Sequence, residues 1–268
     1  MQTIRVVRAD RSERLMWLSD QRVFYAGLLG SIDLRTSGGW SFYVSPEGLP
    51  NRVRLGSGAW QSGELIVVPP QVAHCIESQQ PLILTLVIES EFVDAQALAP
   101  QLRQCGVVDD PAFVRRVRAG HQQLLAASGR ECFNRFDFDR LFFGQPLPQR
   151  VLDARIRAVV ERVSANPAQA LSAEQCAEDV NLSFSRFLHL FKEQTGMTFR
   201  AFRAWKRARS LLRHVQHTST LTDIALDTGY PDSTHFSHSI RQFYGLKPSD
   251  ILAGSRRISL HDAAGQLH

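Results

Sequence analysis

Leu171-Ser-Ala-Glu-Gln-Cys-Ala-Glu-Asp-Val-Asn-Leu-Ser-Phe-Ser-Arg-Phe-Leu-His-Leu-Phe-Lys-Glu-Gln-Thr-Gly-Met197 holds two short helical patterns with a break between them. Ser172 stands as an N-cap ahead of residues 173–179, with acids near the start, where the helix dipole favours negative charge. Val180-Asn181-Leu182 reads as a tight turn, because Asn tolerates the left-handed region better than most residues. Ser183 or Ser185 caps a second helix that runs to about Gln194 and ends at Thr195-Gly196. Phe187, Leu190 and Phe191 recur at helical spacing and predict the buried face. Ser185, Arg186, His189 and Lys192 predict the outer face. A short helix, a turn and a second helix make a helix-turn-helix. One such unit alone is explained equally well by an ordinary solvated face.

The arrangement recurs downstream. Leu221–Thr228 is a second short helix, Gly229-Tyr-Pro-Asp232 a turn, and Ser233–Tyr244 a second helix ended by Gly245. Phe236, Ile240 and Phe243 predict its inner face, and Ser233, Thr234, Ser237, His238 and Arg241 its outer face. A basic helix, Thr198–Gln216, joins the units and carries Arg200, Arg203, Lys206, Arg207, Arg209 and Arg213. At ~19 residues it would span about 28 Å, near the ~34 Å between successive major grooves on one side of a DNA duplex. A further helix over Arg150–Ala165 places Val151, Ile156, Val159, Val160 and Val163 on one face. Pro248–Leu252 predicts a last helical turn.

Residues 171–197 and Thr222-Asp-Ile-Ala-Leu-Asp-Thr-Gly-Tyr-Pro-Asp-Ser-Thr-His-Phe-Ser-His-Ser-Ile-Arg-Gln-Phe-Tyr-Gly-Leu-Lys-Pro-Ser249 resemble the AraC/XylS transcription regulators. The resemblance implies base contacts from Ser185, Leu188 and His189 in the first unit, and from Ser233, Thr234, Ser237 and His238 in the second. Arg186 and Lys192 are the expected phosphate contacts, and Arg241 is a further expected DNA-binding residue. His189 and His238 stand where the family often has Arg. Double-stranded promoter or operator DNA and RNA polymerase are the implied partners, and activation the implied action.

The first ~90 residues read as β, with runs at Arg22–Leu29, Trp40–Val44, Arg52–Leu55, Glu64–Val68 and Leu82–Ile88. Gly56-Ser57-Gly58 marks a hairpin tip. Short strands at close spacing predict a small barrel or sandwich. Gly63-Glu-Leu-Ile-Val-Val-Pro-Pro-Gln-Val-Ala-His74 resembles the second cupin motif, which implies a cupin-like sensor barrel. The first cupin motif, His-x-His with a Glu, is missing. His74 is open to three readings: a polar residue at a strand start, a lining group of an effector pocket, or a metal ligand lacking its companions. Trp40, Phe42, Trp60 and His74 are the candidate effector-binding residues, although core packing accounts for the aromatics as well. No metal, cofactor or catalytic residue is assigned.

From Val93 to Phe143 the pattern is mostly helical, with Phe113, Val117, His121, Leu124 and Leu125 on one face and Asp110-Pro111 at a helix start. The resemblance implies that this segment forms a homodimer contact. Gly144-Gln-Pro-Leu-Pro-Gln149 is a linker by composition. The expected fold is thus α+β: residues 1–92 a cupin-like barrel, 93–149 a helical dimerisation segment and linker, 150–253 an all-α domain with two helix-turn-helix units, and 254–268 a tail.

Charge agrees with this division. Residues 1–149 hold 15 Lys+Arg and 15 Asp+Glu, whereas residues 150–268 hold 16 against 11. The basic excess of the second part suggests a polyanionic partner. Cys75, Cys105, Cys132 and Cys176 are far apart and predict reduced thiols. No apolar run reaches the ~20 residues of a membrane helix, and a cytoplasmic protein without a membrane partner is expected. The competing readings are a cupin-class metal enzyme joined to a DNA-binding domain and a regulator without a ligand.

Overall fold

The computed structural model describes residues 14–27, 32–127, 136–214, 220–249 and 259–262. The expected strand end at Leu29, the helix end at Gln216, Cys132 and most of the 254–268 tail lie outside these.

The N-terminal half is a layered α+β domain. Its strands are β1 (Leu15–Leu18), β2 (Arg22–Gly27), β3 (Ile32–Thr36), β4 (Gly39–Val44), β5 (Asn51–Leu55), β6 (Trp60–Gly63), β7 (Leu65–Val68), β8 (Ala73–Glu77), β9 (Ile83–Glu89) and β10 (Gly106–Val108). With β11 (Ser259–Asp262) they form a seven-stranded sheet, β10-β7-β4-β9-β2-β1-β11, and a four-stranded sheet, β3-β8-β5-β6. The ladders of the described residues form two open sheets and do not close into the expected barrel. Pairing is antiparallel except where β11 lies parallel to β1. The hairpin tip at Gly56–Gly58 joins β5 to β6, and the Gly58 amide donates to the Leu55 carbonyl.

Period-two alternation explains the layers. Phe42 and Val44 of β4, Leu65 and Val67 of β7 and Phe24 of β2 point to one face of the large sheet. There they meet α1 (Pro111–Ala127) and α2 (Phe138–Phe143) through Phe113, Val117, Leu124 and Phe142. Tyr43, Ile66, Val68 and Ile83 point to the other face and meet Val53 and Ile76 of the small sheet. Met16, Leu18 and Val23, also on that second face, are left uncovered by the small sheet and pack on the helical domain. The second face of the large sheet is therefore shared between the small sheet and the C-terminal half.

Helix α1 begins as expected, with the Phe113 amide bonded to Asp110 Oδ1 at 2.9 Å. The stretch before it departs from the helical expectation. Residues 95–97 and 100–103 are short 3₁₀ turns, and β10 extends the sheet edge beside β7. The apolar face of α1 is spent on the intramolecular core.

The C-terminal half is all-α: α3 (Ala154–Ala165), α4 (Ala173–Asp179), α5 (Phe184–Thr195), α6 (Phe199–Ser210), α7 (Leu221–Asp227) and α8 (Ser233–Tyr244). Two details correct the sequence reading. Asp153 caps α3, which leaves Val151 before the helix and 85% exposed instead of on its buried face. The connecting helix α6 is 12 residues long and tightens into a 3₁₀ turn at Leu211–Arg213. At 1.5 Å per residue α6 spans about 18 Å, so the match to a groove repeat does not follow from helix length.

Candidate nucleic-acid interface

Both units are built by local chemistry. In the first, Ser172 and Gln175 form a reciprocal capping box on α4. Asn181 takes a φ of 55° in the turn, and Ser183 caps α5 through the Arg186 amide. Gly196, left-handed, ends α5 by returning its N–H to the Lys192 carbonyl. The second unit repeats the scheme. Thr220 and Asp223 box α7, Asp232 caps α8 through the Thr234 and His235 amides, and Gly245 closes it. In the second turn Gly229 has φ 78°, and a Cβ there would lie 2.6 Å from the backbone of Ala168. That close approach ties the turn of the second unit to the loop ahead of the first.

The two units differ in how their cores are closed. Phe187, Leu190 and Phe191 of α5 pack with Ile156, Val160, Cys176, Phe199 and Phe202 in a cluster made only of C-terminal residues. Phe236, Ile240 and Phe243 of α8 pack with Trp205, Leu211, Ile224 and Tyr230, and also with Met16, Leu18 and Val23 of the sheet domain. The first unit thus has its own core, and the second shares one with the N-terminal half.

On the outer faces, Ser185, Arg186, His189 and Lys192 are exposed and Leu188 is half-buried. Thr234, His238 and Arg241 are exposed, and Ser233 and Ser237 are half-buried. All ten residues named from the sequence are thus solvent-accessible on α5 and α8. His235, not among them, bonds through Nδ1 to the cap Asp232 at 2.9 Å.

The basic connecting helix behaves otherwise. Lys206 and Arg209 are buried against the end of β9. Glu89, 0% exposed, accepts from Trp205 Nε1 at 2.8 Å, Lys206 Nζ at 2.7 Å and Arg209 Nε at 3.2 Å. Glu91 pairs with Lys206 as well. Burial alone would raise the Glu89 pKa, but the charges of Lys206 and Arg209 outweigh it and hold the carboxyl below its ordinary value. Burial raises the Glu91 carboxyl, and the neighbouring Glu89 charge adds to that against the pull of Lys206. Arg209 also donates to the Ser19 carbonyl at 2.7 Å. The Trp205 ring fills the space above Gly38, where an added Cβ would fall 2.2 Å from Cγ. Two cations that the sequence offered to a polyanion are therefore neutralised inside the chain. The sign available in the sequence is the pair of acids in Glu89-Ser-Glu91 at the end of an apolar strand.

The four candidate effector residues are separated. Phe42 is fully buried beside Phe113 and Phe143, and Trp40 is half-buried against the same core. Trp60 stacks beneath Arg52 and Arg54 on the small sheet. His74 is fully buried, with Nδ1 2.8 Å from the Val72 carbonyl and Nε2 2.9 Å from Tyr43 Oη and 3.2 Å from Arg35 Nε. Among the described residues no group of three or more His, Cys, Asp or Glu side chains is placed to hold a metal ion. A cavity of about 110 Å³ lies where the two sheets meet the second helix-turn-helix unit. Arg35 and Tyr43, the partners of His74, line it, whereas Trp40, Phe42 and Trp60 do not.

Residues 176–254 match the family described as a helix-turn-helix domain. The chain is 34% identical over 105 residues to the HTH-type transcriptional activator RhaS of Klebsiella pneumoniae, a match covering 38% of this chain and 37% of that one. RhaS of Salmonella schwarzengrund is 32% identical over the same share. The chain thus spans little more than a third of the length of the curated relatives it matches. The fold extends further. An apo form of a ToxT variant from Vibrio cholerae superposes over 87% of this chain and 97% of its own, with TM-score 0.62 at 11% identity.

Proposed function

We propose that this chain, an AraC/XylS-type protein with an α+β domain followed by a tandem helix-turn-helix domain, is a sequence-specific DNA-binding transcription regulator, an activator controlled by a small molecule. The observation that carries the reading is the repeated unit. Two capped helices, α5 and α8, present short hydrogen-bonding side chains in their first turns and a cation further along. That order suits a helix entering a major groove N-terminus first, with base edges read early and phosphates met later. Ser185, Leu188, His189, Ser233, Thr234, Ser237 and His238 are the proposed base readers. Arg186, Lys192 and Arg241 are the proposed phosphate contacts.

The reading is of a binding protein and not an enzyme. The chain is similar to a transcriptional activator, its helix-turn-helix family match spans residues 176–254, which include α5 and α8, and both ring nitrogens of His74 are held by protein partners. Effector control rests on the cavity at the domain junction. RNA polymerase contact and a homodimer are part of the same proposal, as the AraC/XylS resemblance implies. Gel shift of the full chain on the promoter region beside its own gene tests the function. A retarded band that survives excess unrelated DNA and weakens steeply with salt is expected, because Lys and Arg displace counterions. Equal competition by any sequence would overturn the proposal.

A further inference from the structure

The cavity at the domain junction has an unusual balance of groups. Its walls are mostly apolar: Met16, Val23, Ile83 and Val87 come from the large sheet, and Trp205, Leu212 and Phe243 from the helical domain. Among the described residues no carboxylate lines it. Arg35 does, and among the described residues it has no acidic partner. Its guanidinium lies 4.8 Å from the Tyr43 ring centroid and donates from Nε to His74 Nε2 at 3.2 Å.

The geometry fixes the state of that histidine. Nδ1 faces the Val72 carbonyl, so it carries the proton. Nε2 then accepts from Arg35 and from Tyr43 Oη. A neutral imidazole therefore orients Arg35 without neutralising it, and the two terminal nitrogens of the guanidinium keep their charge available. Ser41 supplies a second, independent sign. The residue is 1% exposed and lines the same cavity, and among the described residues its hydroxyl has no hydrogen-bond partner. A buried hydroxyl left without a partner is destabilising.

We propose that this cavity binds a small organic monoanion, a carboxylate on a compact apolar body, with Arg35 pairing with the carboxylate and Ser41 donating a hydrogen bond inside the cavity. The cavity is smaller than the roughly 150 Å³ that holds benzene, so the body is limited to a short branched chain. Because walls come from both halves, the ligand touches the surface that seats the second helix-turn-helix unit. Its binding and DNA binding are then linked reciprocally. That consequence rests on the regulator reading; the binding itself does not.

Isothermal titration of the full chain compares isobutyrate with isobutyramide, which has the same shape and no charge. The acid should bind at least tenfold more tightly than the amide. Arg35→Gln should abolish that preference, and Ser41→Ala should weaken the acid several-fold, with far-UV circular dichroism confirming that both variants fold. The acid-to-amide ratio of the unaltered chain stands even if a variant fails to fold. Equal affinities, no binding of either compound, or an undiminished preference in folded Arg35→Gln would overturn the proposal. A chain that binds the acid but no DNA would overturn the regulator reading alone, and one that binds DNA but neither compound would overturn this inference alone.

Discussion

Replacing Glu89 by Ala should loosen the joint between the two halves of the molecule. The carboxylate is fully buried and serves three donors on one helix, Trp205, Lys206 and Arg209. Removing one partner of a buried ion pair costs about 3–5 kcal/mol, because the charges left behind stay buried. Here the loss is tempered. Lys206 keeps Glu91, and Arg209 keeps the Ser19 carbonyl. The expected cost is therefore at the lower bound, about 3 kcal/mol, or roughly 6–12 °C in Tm for a chain of this size. Glu89→Gln keeps an acceptor for the indole N–H but loses the charge, and should cost less. Thermal unfolding followed by circular dichroism measures both. A double-mutant cycle between Glu89 and Arg209 should give a coupling above about 1 kcal/mol, as residues sharing one network are not additive. A Tm within about 3 °C of the unaltered protein, equivalent to about 1 kcal/mol, would refute the argument that the cluster is a stabilising joint.

Other perturbations test neighbouring parts of the account. Gly38→Ala should expel Trp205 from its seat, since the new Cβ would fall 2.2 Å from the ring; a changed tryptophan emission maximum and a lowered Tm are expected. Gly229→Ala combines a φ of 78° with a 2.6 Å approach to the Ala168 backbone, and should cost about 1–3 kcal/mol in denaturant unfolding. His74 has its pKa lowered from 6.5 to about 3, by burial first and then by the Arg35 charge. As pH falls below 6.5 the unfolded chain takes up a proton there that the folded chain refuses. Stability should therefore fall between about pH 6.5 and 3, at up to about 1.4 kcal/mol per pH unit. His74→Gln should flatten that part of the denaturation profile. On DNA, Arg186→Ala and Lys192→Ala should weaken all sequences and reduce the salt slope, whereas Ser185→Ala or His238→Ala should relax preference at one base pair by about 1–3 kcal/mol.

What was legible in the sequence was what is decided within a few residues. The caps at Ser172 and Asp110, the left-handed Asn181 and the terminal Gly196 and Gly245 each act over one helical turn, so their positions could be read directly, and the α5 cap narrows to Ser183 or Ser185. The strand runs between turn residues were legible for the same reason. Long-range partners were not. Lys206 and Arg209 look like any solvated cations until Glu89, more than a hundred positions earlier, is brought beside them. Val151 fits the apolar spacing of α3, but the Asp153 cap starts the helix after it. The 95–108 stretch carries apolar residues at helical spacing, yet β7 offers an open edge that β10 fills. The aromatic candidates Trp40 and Phe42 serve the sheet core, Trp60 sits beneath Arg52 and Arg54, and the cavity lies where the two domains meet. Only His74 came close, through Arg35 and Tyr43.

Hydroxyl-radical footprinting of the full chain on its own promoter tests the central claim most directly. The account predicts two protected patches on one face of the duplex, one lost when Ser185 and His189 are replaced by Ala and the other lost when Ser233 and His238 are. A single patch, or two patches that respond alike to both pairs of substitutions, would contradict the reading of α5 and α8 as separate DNA-reading helices.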